Sequence, residues 1–67
     1  MDVFLNDELV AVPEGATLEG LLVAAGIVAT NGIALAVNNQ VVSKLQWSKV
    51  GVSAGDNVMV IRATQGG

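Results

Sequence analysis

The chain has 67 residues, 52% hydrophobic and 13% charged, with no Cys, no His and no Tyr. That length holds one small core, burying about 60% of the unfolded surface, and the composition excludes intrinsic disorder. The missing Cys and His remove disulfides, thiolate nucleophiles, Cys/His metal sites and the usual neutral-pH general base, while a net charge of −3 has the wrong sign for nucleic acid or anionic lipid.

The longest apolar stretch, Leu21 to Val28, is too short to span a bilayer. Met1-Asp2-Val3 lacks the basic region of a signal peptide, so a cytoplasmic location is expected. A self-sufficient enzyme is not.

Val3-Phe4-Leu5 and Leu9 to Val12 are rich in strand formers, and Asn6-Asp7-Glu8 between them reads as a hairpin turn lacking the usual Gly. Pro13-Glu14-Gly15 ends the second strand. Thr17 is a candidate helix N-cap, with Glu19 in the first turn where a negative charge suits the dipole. Leu18, Leu21, Leu22 and Ala25 form a buried stripe, and Gly26 falls just past the C-terminus. Such a short helix must lie on a sheet.

After the Asn31-Gly32 turn signal, Ile33 to Val37 is a strand whose large residues alternate with Ala34 and Ala36. Asn38-Asn39 turns the chain into Gln40-Val41-Val42. Ser43 to Val52 reads as irregular, with Trp47 as its only large anchor. Ala54-Gly55-Asp56 is a turn and not a metal site, because one carboxylate cannot hold a cation alone. Lys44 and Lys49 read as solvated charges. Asn57 to Arg62 is the last strand, followed by the flexible tail Ala63-Thr64-Gln65-Gly66-Gly67.

This order predicts an α+β, β-grasp (ubiquitin-like) fold, a mixed sheet of four or five strands curled over one helix. The body covers residues 1–62 and the tail residues 63–67. The first and last strands are expected side by side and parallel at the sheet centre. Alternation turns Val3, Leu5, Val58 and Val60 inward, and Phe4, Met59 and Ile61 outward. Neighbouring end strands would merge these three into an exposed apolar patch with Arg62 at its rim, and such patches mark partner sites.

The ending Gly66-Gly67 arises by composition in only about 0.5% of chains. A terminal Gly carboxylate has no Cβ beside the acyl carbon, so an enzyme can bring backbone groups and a nucleotide phosphate close to it. Five extended residues reach about 17 Å, enough to thread a narrow channel while the body docks outside.

The sequence resembles the ubiquitin-like sulfur carrier proteins, and within them the thiamine-biosynthesis (ThiS-like) branch. The resemblance covers the whole chain. It rests on Val3-Phe4-Leu5-Asn6, on Gly15-Ala16-Thr17-Leu18 before the Leu-Leu helix, and on Ile33 through Val42. Gln46-Trp47, Gly55-Asp56 and Gly66-Gly67 complete it. Val42-Ser43-Lys44-Leu45 departs from the family's frequent Val-Pro-Arg, and the helix carries fewer acids than usual.

The resemblance implies a carrier with no active site of its own. An ATP-dependent adenylyltransferase related to ubiquitin-activating enzymes would adenylate Gly67, with Thr64, Gln65 and Gly66 threaded into its channel. A sulfur donor (a cysteine desulfurase or similar) would convert the acyl-adenylate to a thiocarboxylate, and thiazole synthase would take the sulfur. ATP belongs to the partner, and no permanently bound cofactor, metal, nucleic acid or membrane is implied. Phe4, Met59, Ile61 and Arg62 are the candidate partner-binding residues. Two alternatives stand: the small subunit of molybdopterin synthase, and a non-carrier β-grasp binding module.

Overall fold

The computed structural model describes residues 1–28 and 31–62. Five strands, β1 (Asp2–Leu5), β2 (Glu8–Ala11), β3 (Ile33–Val37), β4 (Gln40–Val42) and β5 (Asn57–Arg62), form one sheet in the order β2-β1-β5-β3-β4. The helix α1 spans Leu18–Ala24. β1 and β5 are parallel and the other three pairings antiparallel, the mixed β-grasp sheet expected from the element order.

Two hairpins, β1–β2 and β3–β4, are closed by Asn6-Asp7 and Asn38-Asn39, and all four residues have φ between 49° and 71°. Positive φ at both central positions is what a type I′ turn requires, and its twist matches that of the flanking strands. Asn and Asp tolerate this region where other non-glycine residues do not, which is why these hairpins close without glycine.

α1 forms where Thr17 caps it, the hydroxyl accepting from the Gly20 N–H at 3.2 Å. Its seven residues make about two turns. Leu18, Leu21 and Leu22 are buried against Val3, Leu5, Leu35 and Val58 from the sheet. Gly26, at φ +76°, ends the helix as the sequence suggests.

The Ser43–Val52 segment contains a 3-10 turn at Lys44–Gln46 and has a use that composition does not show. The first amides of a helix lack partners within it. Here the Leu18 N–H donates to the Val50 carbonyl (2.9 Å) and the Glu19 N–H to the Trp47 carbonyl (3.1 Å). Trp47 holds the segment in place. Its indole is buried, and Nε1–H donates to the Val42 carbonyl at 3.0 Å.

Asp56 locks the turn before β5. Its carboxylate accepts from the Ser53 N–H (2.8 Å) and the Asn38 side-chain amide (3.3 Å), while its carbonyl accepts from the Phe4 N–H (2.9 Å). The Gly55-Asp56 pair is thus a turn device, with Gly55 at φ +82°. Asp56→Ala is expected to cost about 1–2 kcal/mol by removing two acceptors from a solvent-accessible junction. Urea denaturation measures this, and an unchanged midpoint would show that the backbone bonds alone hold the turn.

Candidate functional site

The outer face of the sheet, opposite α1, is built by alternation along each strand. Val3 and Leu5 point into the core, so Phe4 points out and is 39% exposed. Val58 is buried, so Met59 and Ile61 point out, at 51% and 45% exposure. The Ser43–Val52 segment, tied to the start of α1, leaves all three uncovered.

Register shows how far this face extends. Leu9 of β2 is opposite Phe4, and Phe4 lies beside Asn57 on β5. One row along, Met59 is opposite Ala36, which is opposite Val41 of β4. Ile61 is opposite Ala34. Leu9 and Val41 are exposed, whereas Ala36 is buried between larger cross-strand neighbours. An apolar band therefore crosses all five strands, broader than the three residues that alternation alone picks out. The missing signal was the cross-strand register, which sets Leu9 and Val41 in line with Phe4 and Met59.

Arg62 is exposed at the end of β5, as expected of a rim residue, but it is opposite Ile33. Alternation and this pairing put it on the helix-side face, away from Ile61. The Arg62 charge therefore sits at the strand end and outside the apolar band. Thr64, Gln65, Gly66 and Gly67 lie outside the described residues.

On the helix side, a groove of about 400 Å³ is lined by Leu22, Val23, Ile27 and Trp47, with Glu19 and Lys44 at its edge. Among the described residues no polar or charged side chain is buried, and no three Asp, Glu, His or Cys side chains come together to hold a metal. The chemically distinctive features are thus the outer apolar band and the strand that leads from it to the final residues.

A sequence model of the ThiS family matches residues 3–67. The chain belongs to the ThiS family. The match begins one residue before Phe4 and runs through both final glycines, so one family pattern includes the outer face and the chain end. The fold agrees. The structure is similar to the crystal structure of the thiamine biosynthesis protein ThiS from Geobacter metallireducens, with a TM-score of 0.84, 22% identity and complete coverage of both chains. No curated protein matches the sequence.

Within this ThiS-family chain, the quoted pieces of sequence divide by role. Trp47, Asp56, Asn38 and Thr17 are accounted for by bonds within the fold. Phe4, Met59 and Ile61 are not. Among the described residues they lie outside the helix-side core.

Proposed function

We propose that this chain is the sulfur carrier of thiamine biosynthesis, a protein co-substrate without catalysis of its own. The observation that carries the reading is the ThiS-family match continuing through Gly66-Gly67. In this reading residues 1–62 are the docking body and residues 63–67 the reactive tail.

The Gly67 carboxylate attacks the α-phosphorus of ATP on a ubiquitin-activating-enzyme-like adenylyltransferase, releasing pyrophosphate and leaving an acyl-adenylate. A donor persulfide, charged by a cysteine desulfurase or similar, then displaces AMP through its terminal sulfur to give an acyl disulfide. A donor thiol cleaves the S–S bond, leaving the thiocarboxylate on the carrier and a disulfide on the donor. On thiazole synthase the thiocarboxylate sulfur bonds to the acceptor, the acyl carbon–sulfur bond is broken by an oxygen nucleophile (water, or an acceptor oxygen followed by hydrolysis), and the carrier returns with its carboxylate restored. Thr64, Gln65 and Gly66 pass through the adenylyltransferase channel. No Cβ stands beside the reacting carbon at Gly67 to crowd the nucleotide.

Phe4, Met59 and Ile61 dock on the adenylyltransferase, with Arg62 offering a charge at the strand end. The outer band supports this because large exposed apolar patches on small proteins usually mark partner sites. Incubation with ATP, a sulfur source and the adenylyltransferase should add the mass of replacing one oxygen by sulfur. An unchanged intact mass with active partners would overturn the carrier reading.

Phe4→Ala tests the docking face separately. Phe4 points outward, so truncation leaves no cavity and should alter stability by less than about 1 kcal/mol. As a central aromatic it should cost about 2 kcal/mol or more of affinity for the adenylyltransferase. Paired denaturation and binding measurements decide it: a large stability loss with unchanged affinity removes the docking face.

A further inference from the structure

β1 and β5 are in register at Phe4↔Asn57 and Leu5↔Val58, the last paired residues of β1. In a parallel ladder, one residue sends its N–H to one neighbour on the facing strand and accepts at its C=O from another further along. Phe4 starts the pattern by donating to the Asp56 carbonyl at 2.9 Å. Asn6 takes the next step, its N–H donating to the Val58 carbonyl at 2.9 Å. Its own carbonyl would then face the Val60 N–H. Asn6, however, is also the first residue of the hairpin turn, with φ 50°.

The side chain fills the missing place. Asn6 Oδ1 accepts from the Val60 N–H at 2.9 Å, across 54 positions of sequence. An amide carbonyl on a side chain thus stands in for a backbone carbonyl, as Asn side chains commonly do near turns. Past this rung β5 has only β3 beside it, through Ala34↔Ile61 and Ile33↔Arg62. These are the last described residues before 63–67.

We propose that Asn6 is a positioning residue for the carrier reaction: its amide adds a rung beyond the end of β1 and fixes the direction in which β5 delivers the tail. The role rests on the carrier reading. A strand held on both sides up to Val60 reaches its end at Arg62 in one direction. A strand held only by β3 from Met59 onward leaves its end at Arg62 free to take several directions, and the partner's apparent affinity falls with the competent fraction. Chemistry after docking is untouched, because Asn6 contacts no reacting atom.

Two substitutions separate the amide from the turn. Asn6→Gly keeps the positive φ without cost and removes the acceptor. Asn6→Asp keeps the turn and supplies a carboxylate oxygen at the same position. The Val60 amide should exchange about five- to tenfold faster in Asn6→Gly, the net worth of one hydrogen bond, and at the wild-type rate in Asn6→Asp. In ATP–pyrophosphate exchange, KM for the carrier should rise roughly three- to tenfold in Asn6→Gly with kcat unchanged, and Asn6→Asp should restore it. Assays at about 0.3 M salt screen the added charge of Asn6→Asp.

Lost stability alone would leave KM unmoved while the variant remains folded, so the KM change distinguishes positioning from mere structure. Wild-type Val60 exchange in Asn6→Gly, unchanged KM in that variant, or no restoration by Asn6→Asp would each overturn the proposal. Absence of exchange with the wild-type carrier would instead sink the carrier reading, and the positioning role with it.

Discussion

Deleting Gly67, or replacing it with Ala, is expected to abolish adenylation while leaving the fold unchanged. Deletion moves the terminal carboxylate back by about 3.5 Å along an extended chain, whereas a misplacement near 1 Å can already cost about 100-fold in rate. A loss beyond about 1,000-fold is therefore expected from either adenylation assay, ATP–pyrophosphate exchange or acyl-adenylate formation. Gly67→Ala keeps the length but places a Cβ beside the acyl carbon, where the proposed channel fits glycine. β5 ends at Arg62, so the melting temperature should stay within about 2 °C of wild type. Normal exchange by the shortened chain would remove the terminal carboxylate as the reactive group.

The second large effect is expected on stability, at Trp47. The indole is buried in the same cluster as Leu18, Leu22 and Val52, and its N–H serves the Val42 carbonyl. Trp47→Ala removes that volume and also the anchor of the segment that caps the start of α1. Buried aromatic truncations cost about 3–5 kcal/mol, against a total of roughly 3–10 kcal/mol for a domain of this length. The variant should melt at least about 12 °C lower or be largely unfolded at room temperature. Trp47→Phe keeps most of the packing and loses the donor, so about 1–2 kcal/mol is expected. Far-UV circular dichroism follows both, since no indole fluorescence remains. A Trp47→Ala chain within 1 kcal/mol of wild type would mean that residues 43–52 are held by backbone bonds alone.

The strands and helix were legible because their signals are local. Ile33–Val37, Gln40–Val42 and Asn57–Arg62 have the expected boundaries, and Thr17 and Gly26 bracket the helix as their chemistry requires. β1 starts one residue early at Asp2, and β2 is shifted by one, to Glu8–Ala11, leaving Val12 buried beyond it. Alternation also predicted the outward set Phe4, Met59 and Ile61. What stayed hidden depends on residues far apart in sequence. Leu9 and Val41 joined the band only through register. Asn6 read as a turn residue because its second partner, Val60, is 54 positions away. Arg62 was assigned to a rim, and only its pairing with Ile33 shows which face it takes. The reactive role proposed for Gly67 rests on family resemblance and tail chemistry.

β5 lies between the two hairpins and is the only strand joining them in the sheet. Its pairing of Asn57 with Phe4 links the two ends of the chain, the kind of non-local contact that forms late and slowly in folding. In the sheet neither hairpin pairs with the other, and residues 57–62 lie between them. The apolar band takes Phe4 from one hairpin, Ala36 from the other and Met59 from the inserted strand. It therefore does not exist on a half-assembled chain. A partner docking there, as proposed, would meet completed molecules only, so its recognition would double as an inspection of assembly, and a nascent or damaged chain would pass by unread even with its terminal glycines intact.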